Sequence, residues 1–386
     1  MVDISDTTAI LADLIAFDTT SRESNLQLIG YVEERLARIG ASSTRVASPD
    51  GRKANLYATL GPAVAGGIVL SGHTDVVPVD GQPWTSDPWT LTRRDDRLHG
   101  RGACDMKGFL ALALAAAPEA MSGRLARPVH LAFSYDEEVG CVGAPAMIAE
   151  LSRHLPPPAA VIVGEPTGME VVGGHKGIAS YEIIVCGHEA HSSLTHLGVS
   201  ANMEAVELMR ELADLAARLE DEGDPASLFH PPHATLTIGQ IAGGTAVNIL
   251  ARECRFVFDL RCTPGQDADD IIAPFLARCT AADARVKARF ADAGVEVRRR
   301  SSTPSFAAEP DSRAADIARM LTGDNGPARA VAYAAEAGQF QQAGFSTIIC
   351  GPGSIEQAHQ PDEYIAIDQM ERGAAFMRRM LDALAS

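Results

Sequence analysis

The 386-residue sequence predicts an α/β catalytic domain on a mixed, largely parallel sheet, interrupted by a smaller βαββαβ (ferredoxin-like) domain. Four apolar runs bounded by Gly or Pro end abruptly in polar residues: GGIVLSGHTD (66–75), PVHLAFSYDEE (128–138), AAVIVGEPT (159–167) and STIICGPGS (346–354). Such runs read as strands buried on both faces, the pattern of a sheet covered by helices. Helical patterns lie between them, and that alternation points to parallel strands. From Ser180 to about 299 the order changes to β-α-β-β-α-β, a small split βαβ sheet with two helices on one face.

In chain order, MVDISDTTAILADLIAFD reads as a helix with Ser5 or Asp6 as N-cap, and SNLQLIGYVEERLARIG (24–40) as an amphipathic helix. MKGFLALALAAAPEAM (106–121) and DQMERGAAFMRRMLDALA (368–385) read as further helices of the first domain. In the middle, SYEIIVCG is a strand, 199–222 a long helix, HATLTIGQIAGG and RECRFVFDLRC are strands, a helix follows Asp267, and GVEVRRRSS closes the set. These elements put one domain at 1–177 and 300–386 and the other at 178–299.

Composition bounds the function. With 46% hydrophobic and 22% charged residues the chain reads as globular, and 50 acidic against 33 basic residues disfavour a nucleic-acid or anionic-membrane surface. The acidic N-terminus lacks the basic start of a signal peptide, and the longest apolar run, FLALALAAA, falls short of the roughly 20 residues that span a bilayer. Seven scattered cysteines without a C-x-x-C spacing suit reduced thiols and a cytoplasmic location. Neither of the glycine-rich nucleotide motifs is present.

Ligands of parallel sheets bind beyond the carboxyl ends of the strands. Those ends carry His73, Asp75, Glu137, Glu138 and Glu165, while GRGACDMKG adds Asp105 and GPGSIEQAHQPDEY adds His359. Histidine with carboxylate and no cysteine is a donor set suited to Zn²⁺ and related divalent ions, and five candidates suit two ions sharing a bridging carboxylate. Asp75 can orient His73 by accepting its second ring N–H. Asp105 can equally be a helix N-cap. Because side chains alternate along a strand, Glu137 and Glu138 are expected to do different things unless the chain turns between them.

SGHTDVVPVDGQPW, RLHGRGACDMKGFLA, SYDEEVGCVGA, GEPTG, GHKG, GHEAHSS and GPGSIEQAHQPDEY together resemble the M20 family of zinc-dependent aminoacylases and peptidases. GHKG and GPGSIEQAHQPDEY resemble its acetylornithine deacetylase branch most. The resemblance implies a zinc-peptidase-like catalytic domain, two Zn²⁺ or Co²⁺ ions, and a smaller dimerisation or lid domain in a cytoplasmic homodimer acting on a small molecule. It implies that Asp105 bridges, that His73 and Glu165 complete one metal position and Glu138 and His359 the other, that Asp75 holds His73, and that Glu137 is the general base. It further implies His191 as oxyanion donor and Asn248, Arg261 and Gly353 as substrate contacts, Arg261 facing an α-carboxylate. Glu336, in AAEAGQF, is the candidate partner for a cationic substrate side chain. The expected reaction is hydrolysis of N²-acetyl-L-ornithine to ornithine and acetate. The alternatives are another N-acyl amino acid, succinyl-diaminopimelate included, or a non-catalytic metal-binding homologue.

Overall fold

A computed structural model describes residues 2–385. The chain divides into two compact units. One runs to Gly174, takes in Phe306–Ala330 and resumes at Ala335; the other comprises His175–Ser305 and Val331–Ala334.

The first unit is built on a six-stranded sheet in the order Ser43–Ala47, Ala54–Leu60, Val129–Ser134, Ile68–His73, Ala160–Val163, Thr347–Ile349. The last four are parallel to one another, and the first two run antiparallel to their neighbours. The four parallel strands are the four apolar runs, each buried along its whole length. Being parallel, they bring their polar carboxyl-terminal extensions to one edge.

Helix Lys107–Ala120 is apolar on nearly every side, and such a helix has to be enclosed. It packs between Ile4–Ile15 and Ile367–Leu384, and each leucine it buries contributes about 1.5–3 kcal/mol. Helix Leu26–Arg38 instead buries one stripe, Leu28, Ile29, Val32 and Leu36. The first helix begins earlier than expected: Asp3, not Ser5 or Asp6, is the N-cap, its carboxylate accepting from the Ser5 N–H at 3.2 Å.

The second unit has the expected order of elements. Strands Gly177–Cys186, Thr235–Gly243, Glu253–Cys262 and Gly294–Thr303 form an antiparallel sheet, with Thr235–Gly243 at one edge and Gly294–Thr303 at the other. Helices Ala201–Asp221 and Ala268–Lys287 pack against the sheet over a core that includes Ile183, Leu212, Phe256, Phe258 and Phe275. Along Glu253–Cys262 burial alternates with period two, as it does where one face is covered. The unit is wider than 178–299 because pairing continues outward, Gly177 opposite Cys262 and Thr303 opposite Ile178.

Candidate metal centre

His73 ends its strand opposite Ser134, and its side chain is buried. Its Nδ1 lies 2.9 Å from the backbone carbonyl of Asp75. A carbonyl only accepts, so Nδ1 carries the proton and the lone pair of the neutral ring sits on Nε2. That nitrogen is 3.0 Å from Asp105 Oδ1 and 3.9 Å from Glu165 Oε1. The expected contact through the Asp75 carboxylate is not made, since Oδ1 is 3.8 Å from the ring. Instead the carboxylate, 2% exposed, accepts the backbone N–H of Glu137 at 3.1 Å and of Glu138 at 3.3 Å, and the Ser21 hydroxyl at 2.7 Å. Asp75 therefore serves the imidazole with its backbone and the two glutamates with its side chain.

Asp105 does not cap the helix that follows; its oxygens face two histidines. Oδ1 meets His73, and Oδ2 is 3.4 Å from His359 Nε2. Burial alone would raise its pKa, but His359 and His73, when protonated, outweigh burial and hold the carboxyl below the ordinary carboxylate range. His359, half-exposed, also lies 3.0 Å from Glu138 Oε2. Its hydrogen bonds with Asp105 and then Glu138 push its pKa up to about 10. Burial, reinforced by the Asp105 charge, pushes Glu138 up to about 7.

The strand before the two glutamates ends at Ser134, so strand alternation does not govern them. Asp136 takes a left-handed backbone, φ 55°, and its carboxylate pairs with Lys53 at 2.5 Å. That turn directs both side chains to one place. Glu137 falls in a group with His73 and Glu165, and Glu138 in a group with His73 and Asp105, the donor atoms of each group lying within 4.8 Å of one another. Burial raises Glu137 well above the usual carboxylate value, with the charges of Glu138 and Asp105 adding to it. The Cys141 thiol donates to Glu137 Oε1 at 3.2 Å. Glu165 is buried and raised by burial and by Asp105, and its Oε1 has no hydrogen-bond partner.

Four carboxyl groups against two imidazoles, with a buried carboxylate oxygen that has no hydrogen-bond partner, make a donor set that could hold divalent cations. The oxygens of Asp105, one toward each histidine, suit a bridge between two positions.

Glu336 departs from expectation. It is 1% exposed, with Oε2 accepting from Ser71 at 3.1 Å. A carboxylate sealed in this way offers no surface to a substrate ammonium, and its burial raises its pKa. Gly353 has φ 89°, and a Cβ there would stand 2.5 Å from Cys104 Sγ, so both backbone and packing require glycine.

The remaining candidates belong to the second unit. His191 is exposed, its Nδ1 2.8 Å from Ser193 Oγ, and it forms a bridge with Ile249. The exposed Asn248 accepts at its backbone carbonyl from Ser192 N at 3.0 Å. Arg261 is paired with Asp259 at 2.6 Å. Reading the sequence missed Ser21, Gln82, Cys141 and Glu363; Gln82, Cys141 and Glu363 lie inside the quoted motifs, the last two within four residues of a candidate residue.

Known proteins resemble the chain along nearly its whole length. Residues 69–383 match the model for peptidase family M20/M25/M40. Acetylornithine deacetylase from Proteus mirabilis is 36% identical over 376 residues, covering 95% of this chain and 92% of that protein. The Myxococcus xanthus acetylornithine deacetylase is 36% identical over 386 residues, with 96% and 95% covered. Among solved structures, human carnosine dipeptidase 1 superposes with a TM-score of 0.78 at 17% identity, covering 99% of this chain and 97% of its own. An M20 family metallo-carboxypeptidase from Sulfolobus solfataricus also gives 0.78, at 18% identity with 98% and 99% covered. Those two likenesses concern the fold, whereas the family match spans the strand-end residues from His73 to His359, and by it the chain belongs to peptidase family M20/M25/M40.

Proposed function

We propose that the chain hydrolyses N²-acetyl-L-ornithine to L-ornithine and acetate, using two divalent ions, Zn²⁺ or Co²⁺. As a member of its family it is a metal-dependent amidohydrolase. The substrate reading rests on one observation, similarity at 36% identity to acetylornithine deacetylases along nearly the whole chain. A role in arginine biosynthesis is part of the proposal, and the free state of all seven cysteines suits the cytoplasm.

Asp105 would bridge the ions, His73 and Glu165 would hold one, and Glu138 and His359 the other. Bound there, divalent ions supply water acidified to a pKa of about 7 and polarise the substrate carbonyl. Glu137 is the general base. Its Oε1 is engaged by the Cys141 thiol, so Oε2 is the oxygen that takes the proton of the attacking water. The same oxygen returns that proton to the departing nitrogen, because an amide nitrogen leaves poorly unless protonated. Asp75 fixes the Glu137 backbone during both transfers. His191 is the proposed oxyanion donor: Ser193 occupies Nδ1, which leaves Nε2 for the carbonyl oxygen. Arg261 would bind the α-carboxylate, with Asn248 and Gly353 as further contacts.

The exposed edge strand Thr235–Gly243, carrying Ile241 at 61%, and helix Ala201–Asp221 packed on it, carrying Met203 at 65% and Val206 at 50%, form an apolar surface suited to a second copy. A homodimer through this edge is part of the proposal, and light scattering that finds only monomer rejects it. The burial of Glu336 favours a second reading, deacylation of N-acyl amino acids without a requirement for a cationic side chain. Release of acetate from acetylornithine and acetylmethionine, and of succinate from succinyl-diaminopimelate, with and without a chelator, separates the two. The proposal requires acetylornithine to be preferred and chelation to stop turnover.

A further inference from the structure

The two loops that carry Asp105 and His359 are joined by a chain of hydrogen bonds that touches neither side chain. Glu363, 1% exposed, spends both oxygens on the Asp105 loop. Oε1 accepts from the N–H of Cys104 at 2.9 Å and of Asp105 at 3.0 Å; Oε2 accepts from Gly102 N at 3.1 Å and Arg101 Nη1 at 2.7 Å. Arg101, itself buried, sends its other terminal nitrogen, Nη2, to Gln82 Oε1 at 2.5 Å. Trp84 Nε1 donates to the same oxygen at 2.9 Å. Two donors on one atom identify it as the amide oxygen and fix the orientation of the Gln82 amide. Its NH₂ group therefore faces the other way, where Nε2 donates to the backbone carbonyl of His359 at 2.9 Å.

His359 needs such a tether. Its φ of 63° is left-handed, a conformation uncommon for a residue with a side chain, and that backbone aims the imidazole at Glu138 and Asp105. The rest of its loop is anchored separately: Asp362 accepts from Thr85 N at 2.9 Å and from Thr85 Oγ1 at 2.8 Å, and the Asp362 carbonyl lies 2.9 Å from His99 Nδ1. Removing the Gln82 contact thus frees His359 without releasing the loop.

We propose that Gln82 is a positioning residue that sets the affinity of the metal position formed by Glu138 and His359, by tying the His359 backbone through Arg101 and Glu363 to the Asp105 loop. The inference rests on the two-ion reading above. Outer partners of this kind change metal affinity by about 10–100-fold when lost. Gln82→Met removes donor and acceptor together; Gln82→Glu keeps an acceptor for Arg101 and Trp84 but sets a carboxylate oxygen against the His359 carbonyl in place of the donor. The full-length chain, stripped with chelator, is titrated with Co²⁺ by calorimetry and visible absorption, with His359→Ala as reference. The expected result is two binding steps in the unmutated chain. In both Gln82 variants one step is unchanged and the other weakened at least tenfold, with the absorption of that step altered as in His359→Ala. Two steps of unmutated affinity and spectrum in both variants overturn the inference, as does equal weakening of both steps. A single step in the unmutated chain overturns the two-ion reading itself, and is told apart because it needs no substitution.

Discussion

Replacing Asp75 by Asn tests the unexpected division of labour at that residue. The carboxylate is buried and accepts from three donors, Ser21 Oγ, Glu137 N and Glu138 N. An amide presents one oxygen and one NH₂, so at least one of the two backbone N–H groups is left facing a donor. A hydrogen bond to a charged group contributes about 1.5–3 kcal/mol, and a buried donor left unpaired costs about 1–3 kcal/mol. With the remaining bonds weakened by loss of charge, Asp75→Asn is expected to cost about 2–4 kcal/mol in urea unfolding. Ser21→Ala, which removes only a hydroxyl donor, should cost about 1 kcal/mol. The activity effect should be larger, because slippage of about 1 Å at a reacting group costs about 10²-fold. An expected fall in kcat of that order should come with little change in KM. Metal at the His73 position should persist, since Asn keeps the backbone carbonyl that holds Nδ1. Loss of that metal by Asp75→Asn to the extent seen in His73→Ala, with kcat per bound metal unchanged, would instead make the carboxylate the partner of the imidazole.

Arg101→Met strips the cation from a fully buried pair with Glu363, and should cost about 3–5 kcal/mol in the same unfolding assay. Gly164→Ala would set a Cβ 2.2 Å from the Phe109 ring, immediately before Glu165, and should lower Tm and metal content together. His130, buried away from the metal centre with Nε2 unpartnered, has a pKa lowered by burial to about 4. The unfolded chain therefore binds this proton more readily, so its stabilisation is complete above the unfolded value of about 6.5 and is lost as pH falls toward 4, a change of about 3 kcal/mol. His130→Leu should flatten that part of the stability–pH curve, and an unaltered curve would reject the assignment.

The four buried strands and the cluster at their ends were legible because each is written locally: an uninterrupted apolar run, then a polar residue. The antiparallel pair Ser43–Ala47 and Ala54–Leu60 was not read, although the turn SPDG between them carries Gly51 at φ 70°. Strand alternation misled at Glu137 and Glu138 because the strand stops at Ser134 and Asp136 turns the chain. The burial of Glu336, a candidate partner for a cationic substrate side chain, could not be read because its partner Ser71 is 265 positions away. The same holds for Gln82 and His359, 277 positions apart, and for Glu363 and the Asp105 loop. Sequence patterns carry the identity of the donors near the metal centre, whereas the bonds that aim them are formed between segments that only folding brings together.

In the proposed mechanism the adjacent glutamates hold separate roles, Glu138 on metal and Glu137 on the proton. Metal content and turnover measured side by side on Glu137→Gln and Glu138→Gln test it most directly. Glu137→Gln is expected to keep two ions per chain while acetylornithine turnover falls about 10²–10⁴-fold, the range of general acid–base catalysis, and Glu138→Gln to lose one ion. Near-normal turnover by Glu137→Gln, or loss of metal from it with full occupancy in Glu138→Gln, would contradict it.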